Sequence, residues 1–293
     1  MASNTLADID GLGAISYQWM RSGSIISKAT DKNYLLTDND TNENIAVKAN
    51  YTDGYGTNES VSSANVFYVL PKATITNQPV KGAISGSTSN DVFDARANSK
   101  IKYSGGKGDD SYIINSATTL MSESGNQGLD TVYSNVSYTL PVNVENLRMY
   151  GGGVSMATGN KSNNLIVGNV GNDVINGLEG KDTLTGGEGK DTFVFSTALN
   201  AKSNFDIITD FDVNEDKIAF KGSIFKKIGT GVEFSEIWFK NSVSPQTSTN
   251  FLEYDASSGI LYYDSDANGK GVTTPVAMIG INLNLNELNF TII

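Results

Sequence analysis

Residues 159–194 read GNKSNNLIV, GNVGNDVIN, GLEGKDTLT and GGEGKDTFV, four units of nine with nothing left over. Asn164, Asp173, Asp182 and Asp191 hold the sixth position of successive units, and Ile166, Ile175, Leu184 and Phe193 hold the eighth. Gly168, Gly177 and Gly186 open units, and Gly171, Gly180 and Gly189 stand fourth. A period kept at once in glycine, acid and apolar residue over 36 residues marks a repeat architecture. One large apolar residue per unit predicts a short strand with a single inward side chain. Glycine permits positive φ and close backbone approach, so the first six residues of each unit are expected to form a tight loop.

The pattern follows G-G-x-G-x-D-x-U-x, and the segment resembles the calcium-binding repeat of RTX proteins. That resemblance implies a parallel β-roll in which two nonapeptides make one turn. Loops 18 residues apart would stack on one side and share an ion, pairing Asp173 with Asp191 and Asn164 with Asp182. Aspartate at position six brings a hard anionic oxygen, and loop carbonyls complete a cage suited to Ca²⁺, the expected cofactor. Asn164 keeps an oxygen but lacks the charge, so its site is expected to be weak or empty.

Moving outward, a poorer set of units lies upstream. GSTSNDVFD (86–94) places Asp91 at position six, and GGKGDDSYI (105–113) places Asp110 there, with Gly105 and Gly108 in register. The intervening ARANSKIKY has no acid, and the spacing of 19 implies a one-residue bulge. The bridge at 115–157 carries Val132, Val136, Tyr138, Leu140, Val144 and Leu147 at strand-like spacing and resembles the segment that joins nonapeptide blocks in RTX proteins. It is expected to continue the solenoid. Downstream, FDIITDFDVNEDKIAF (205–220) resembles the segment that closes the roll in these proteins, which makes Asp206 and Asp210 candidate ligands. Asp212, Asn214 and Asp216 form either a further ligand set or an acidic turn before a strand. DSDANG (264–269) matches the opening of an EF-hand loop, but the twelfth position is Pro275 and no helices flank it, so a hairpin turn is expected.

Composition narrows the chemistry. The chain of 293 residues has no Cys and no His, which excludes disulfides, thiolate or imidazole metal sites, and Ser–His or Cys–His catalysis. Its 21 Lys+Arg against 32 Asp+Glu give a net charge of -11, which opposes nucleic-acid binding and suits hard cations. No apolar run approaches the roughly 20 residues of a transmembrane helix. MASNTLADID has no basic region or apolar core, so no N-terminal signal peptide is read there. The acids already have roles in loops and turns, and Glu253 beside Tyr254 stands alone, so no catalytic constellation is expected.

The opening segment, 1–72, alternates with period two and breaks at Asp10-Gly11, Asp38-Asn39-Asp40 and Asp53-Gly54. Strands are expected over 14–21, 25–26, 33–37, 44–51 and 61–70, with Trp19 in a core. DIDGLGAISYQW and YTDGYGT resemble bacterial immunoglobulin-like domains, which implies a β-sandwich and suggests a fragment with an incomplete first domain. The expected organisation is all-β: an immunoglobulin-like sandwich (1–72), a linker (73–85), a calcium-binding roll (86–220) and a C-terminal β-rich domain (221–293). LNLNLNELNFTII at the end resembles the uncleaved signal of type I secretion substrates and equally fits a last β-strand. Together these readings imply a non-enzymatic, calcium-dependent region of a secreted or surface protein such as an adhesin, exported transiently through an ABC exporter. Two alternatives stand beside it. One is a calcium-dependent module binding an extracellular protein or glycan, and the other is the non-catalytic tail of a secreted hydrolase or epimerase.

Overall fold

The computed structural model describes residues 13–53, 55–63, 67–74, 83–228, 239–241, 251–265 and 273–293. It divides into two units, Met1–Lys72 and Ala73–Ile293. Among the described residues there is no α-helix, and none long and apolar enough to cross a membrane.

In the first unit, β1 (Ser16–Arg21), β2 (Ser24–Ile25), β3 (Asn44–Thr52), β4 (Asn58–Ser62) and β5 (Phe67–Tyr68) form one antiparallel sheet in the order β2-β1-β3-β4. β5 pairs with the opposite end of β3 from β4. A sandwich needs a second facing sheet, and the described residues supply only this one. Its small core centres on Trp19 and Ile45. Trp19 stacks on Tyr34 with centroids 5.6 Å apart, and its indole N–H donates to Asp31 O at 2.9 Å.

The strand expected over 33–37 is absent. Buried Asp40 accepts from Tyr34 Oη, Thr37 N, Thr37 Oγ1 and Arg21, and this local network bends the chain into a 3-10 turn at Asp38–Asp40. Leu35 and Leu36 stay exposed despite their apolar character. The single strand expected over 61–70 is instead the pair β4 and β5. The turn at 10–11, Gly54 and most of DIDGLGAISYQW's first half lie outside the described residues.

The second unit is a two-walled parallel roll. One wall stacks β7 (Val92–Asp94), β9 (Ser111–Ile114), β11 (Thr131–Ser134), β13 (Asn146–Met149), β15 (Leu165–Val167), β17 (Thr183–Thr185) and β19 (Asp206–Ile208), all parallel. The other wall stacks β12 (Tyr138–Thr139), β14 (Met156–Thr158), β16 (Val174–Asn176), β18 (Thr192–Phe195) and β20 (Lys217–Phe220), continuing the level of β6 (Ile84–Ser85), β8 (Lys102–Ser104) and β10 (Leu120–Met121) in a separate sheet. The inward column on the first wall is Phe93, Tyr112, Val132, Leu147, Ile166, Leu184 and Ile208, and every member is buried. Facing it are Ala157, Ile175, Phe193, Ile218 and Phe290, equally buried. One apolar side chain per nonapeptide therefore builds a continuous core only because the units stack.

Two expected boundaries shift. Thr74 N donates to Val92 O at 3.0 Å and its Oγ1 accepts from Val92 N at 2.8 Å, so residues 73–74 edge the first wall. Residues 75–82 of the expected linker lie outside the described residues. At the other end the roll does not stop at 220. β24 (Thr274–Met278) adds parallel to β19, and β25 (Phe290–Ile292) adds parallel to β20. β23 (Ile260–Tyr263) and β22 (Leu252–Asp255) continue the first wall antiparallel, followed by β21 (Phe239–Asn241). The expected separate domain at 221–293 thus extends both walls of one roll, because its strand edges and the buried Phe220, Phe225 and Phe290 need one another.

Candidate metal centre

The position-six side chains form a ladder along each edge of the roll. On one edge Asp91 N donates to Asp110 Oδ1 at 2.8 Å, Asp110 N to Asp130 Oδ1 at 2.9 Å, and Asp130 N to Glu145 Oε2 at 3.0 Å. The same edge continues from Asn164 N to Asp182 Oδ1 at 2.7 Å and from Asp182 N to Asp206 Oδ1 at 3.0 Å. On the other edge the steps are Ser155 to Asp173 at 2.9 Å, Asp173 to Asp191 at 2.7 Å and Asp191 to Asp216 at 2.9 Å. One oxygen of each acid thus ties a turn to the turn before it. The other oxygen is taken by a backbone N–H of the acid's own loop in Asp173 and Asp216.

In three loops that second oxygen is stranded. Oδ2 of Asp110, Asp182 and Asp191 is buried without a hydrogen-bond partner. Stranding a carboxylate oxygen is costly unless something cationic meets it. Burial accordingly pushes the Asp110 carboxyl up to about 6 and those of Asp182 and Asp191 up to about 7. Neighbouring carboxylates add to the effect, Glu123 at Asp110 and Asp216, Asp173 and Asp210 at Asp191.

Two stranded oxygens sit beside a second carboxylate held in one particular way. Gly186 N donates to Asp210 Oδ1 at 2.8 Å and Gly187 N to Asp210 Oδ2 at 2.9 Å. Gly105 N donates to Glu123 Oε1 at 2.7 Å and Gly106 N to Glu123 Oε2 at 3.3 Å, while Tyr112 Oη also donates to Glu123. Each clamp spans a Gly-Gly pair and faces the aspartate five residues beyond the first glycine. Glu123 escaped the sequence reading. Its signal was the frame itself, since it stands two nonapeptide lengths after Gly105.

The position-one glycines follow from the same geometry. A Cβ on Gly105, Gly177 or Gly186 would overlap Oδ2 of Asp110, Asp182 or Asp191. These glycines do not have positive φ, in contrast to Gly108, Gly180 and Gly189 at position four, with φ of 104°, 132° and 118°. Position one needs space and position four needs the left-handed conformation.

The remaining candidates divide. Asp206 and Asp216 are buried and serve the ladders. Asp212 accepts from Asn214 N and Nδ2, the acidic turn of the simpler reading. Asp91, Asn164 and Asp173 are engaged by their own loops, at Ser87 N, Asn160 N and Asn169 N respectively. Residues 266–269 of DSDANG and Trp238 lie outside the described residues.

Among the described residues no group of three or more acids is placed to hold a metal ion by side chains alone. A Ca²⁺ ion takes six to eight oxygens, so here most would be backbone carbonyls. The donor set fits that ion: oxygen throughout, one or two carboxylates per loop, and stranded anionic atoms inside a glycine loop. Asp110, Asp182 and Asp191 would hold it, assisted by Glu123 and Asp210, and the ion would neutralise charge that burial leaves uncompensated.

Comparison with known proteins gives two findings. Over 83 residues the chain is 37% identical to the endo-1,3-1,4-beta-glycanase ExsH of Rhizobium meliloti (strain 1021), a match covering 28% of this chain and 18% of that protein. The chain therefore matches less than a fifth of that relative's length. A family description, the RTX calcium-binding nonapeptide repeat, matches residues 158–193 in four copies. Residues 158–193 are RTX calcium-binding repeats, set in a parallel β-roll.

Proposed function

We propose that the chain is a non-catalytic, calcium-gated folding region of a secreted or surface protein, an adhesin above all, in which extracellular calcium drives the roll to fold and supports type I export. The observation that carries this reading is the stranding of three buried carboxylate oxygens inside the loops. Without an ion those charges oppose folding, and one apolar residue per nine offsets little chain entropy. Where calcium is scarce the region stays open enough to thread an exporter. Outside, at the 10⁻⁴–10⁻³ M affinities usual for extracellular modules, binding becomes folding energy. A site at 100 times its dissociation constant adds about 2.7 kcal/mol.

Far-UV circular dichroism during calcium titration tests this on the intact chain and on Asp182→Asn/Asp191→Asn. The expected result is a cooperative gain of β signal between about 0.1 and 10 mM, shifted to higher calcium in the variant. A chain equally folded in chelator and indifferent to calcium would end the proposal. A second reading, the accessory tail of a secreted enzyme, draws support from the partial likeness to a glycanase. It makes the same calcium prediction and differs in what the parent protein does.

A further inference from the structure

The six nonapeptide loops adopt two conformations, and the residue at position two separates them. In loops 105–113, 177–185 and 186–194 position two is Gly106, Leu178 or Gly187, with φ of 102°, 72° and 101°. Position four is also left-handed in all three, at Gly108, Gly180 and Gly189. The position-two N–H then points away from position six, to Glu123, Asn176 Oδ1 and Asp210 respectively. These are the three loops with a stranded, buried aspartate oxygen.

Loops 86–94, 159–167 and 168–176 behave otherwise. Position two is Ser87, Asn160 or Asn169, and no residue at position two or four has positive φ. The position-two side chain caps the position-four N–H, by Ser87 Oγ on Ser89 at 3.1 Å, Asn160 Oδ1 on Ser162 at 2.8 Å and Asn169 Oδ1 on Gly171 at 2.7 Å. That turn aims the position-two N–H at position six, reaching Asp91 Oδ2 at 2.6 Å, Asn164 Oδ1 at 2.8 Å and Asp173 Oδ2 at 2.6 Å. The amide of Asn169 then sits among oxygens, donating to Gly153 O at 3.0 Å, Ser155 Oγ at 3.1 Å and Asp173 Oδ1 at 3.3 Å. Asn160 Nδ2 does the same towards Pro141 O at 2.7 Å and Val144 O at 2.8 Å. In these two loops a neutral N–H donor faces oxygens that a cation would need, carbonyls at Asn160 and a carbonyl, a hydroxyl and a carboxylate at Asn169.

We infer that position two decides which loops take calcium: those at 105–113, 177–185 and 186–194 are ion-accepting, and those at 86–94, 159–167 and 168–176 are closed by their own donors and need no metal. Two of the four matched repeats are therefore metal-independent, and a site built on Asp110 and Glu123 lies outside the matched stretch. The 177–185 site, with one carboxylate and no clamp, is the weakest of the three. This inference rests on the calcium-binding reading above and adds which loops carry it.

The test counts calcium per chain by equilibrium dialysis of the full chain. Asn169→Gly turns the closed loop into G-G-V-G-N-D, the pattern of the open loop G-G-E-G-K-D at 186–191. It should bind about one more calcium per chain than the parent, and the reverse change Gly187→Asn about one fewer. Asp110→Asn should also lose about one, although it lies outside the array. Unchanged counts in folded Asn169→Gly and Gly187→Asn would overturn the inference. Should Asn169→Gly fail to fold, Leu178→Asn decides instead, since that position already carries a side chain at a φ of 72° whereas a Cβ on Gly187 would overlap Asn169 O. About one calcium fewer is expected there, and an unchanged count would overturn the inference. A parent chain that binds no calcium at all would sink the calcium reading itself, which is a different result from an unchanged count.

Discussion

A glycine can be required for its backbone or for the room it leaves, and the two demands give different mutational signatures. Gly186 has an ordinary φ, yet a Cβ there would collide with Asp191 and so disturb both a ladder rung and a candidate ion site. Gly186→Ala should cost about 2 kcal/mol by crowding a packed interior and should also lower calcium affinity. Gly153, in the GGG run at 151–153, has open space in the Cβ direction, so Gly153→Ala should stay within about 0.5 kcal/mol. Urea melts of both variants in saturating calcium check this, and equal effects would refute the steric account. The repeat marks these positions correctly but does not divide the two reasons among them, because period reveals that a glycine is needed and not which atom it makes way for. The aspartates at position six were legible for a related reason: nine-residue spacing survives wherever turns have no insertions. Glu123 was missed, since the frame that sets it two nonapeptide lengths after Gly105 runs there through a stretch with no complete unit to display it.

Among elements, legibility followed how local and how regular the pairing is. The short strands inside the nonapeptides were readable because each partner lies two units further on, Ile166 beside Leu184 and Ile175 beside Phe193. In the bridge the steps are uneven, from Ser111 to Thr131, then to Asn146, then to Leu165, so only the continuation of the solenoid could be read. The tail was hardest. β25 pairs with a strand far back in the chain, Phe290 beside Ile218 of β20, and alternation in LNLNLNELNF says nothing about so distant a partner. In the first unit, alternation over 33–37 misled because Asp40 captures Tyr34 and Thr37 locally. β25 should nonetheless be essential to the roll. Phe290 is buried and stacks on Phe220 at 6.3 Å, and Ile293 N donates to Phe220 O at 2.9 Å. Phe290→Ala should destabilise the second unit by about 3 kcal/mol. Thermal melts in saturating calcium measure it, and a loss under about 1 kcal/mol would mean that the tail merely lies on the roll.

At the scale of the whole molecule the roll is a stack of buried acids, and its stability must answer to protons as well as calcium. Burial pushes Asp130 and Asp206 up to about 7, alongside Asp182 and Asp191 at about 7 and Asp110 at about 6, against 3.8 for an ordinary aspartate. A carboxyl raised on folding binds protons more tightly in the folded chain. Its contribution is fully present below about pH 3.8 and is lost as pH rises towards about 7. Asp94, held low by Arg96, acts in the opposite sense and only near or below its ordinary range, so it leaves this window untouched. Metal-free protein should therefore melt at falling temperature as pH goes from about 5 to about 8. Calcium flattens the slope at Asp110, Asp182 and Asp191, because the bound ion displaces the proton from the stranded oxygens of the folded chain while the unfolded carboxyls are already deprotonated above about pH 5. In saturating calcium the melting temperature should fall less over the same interval, so the two curves should diverge with increasing pH. Calorimetry at several pH values, in chelator and in calcium, provides both curves. Parallel curves would show that the buried acids of the ladders are not where the ion and the proton compete. Diverging curves would place the calcium switch on the same carboxylates that hold successive turns together, so that one set of side chains sets both the pitch of the roll and the condition under which it forms.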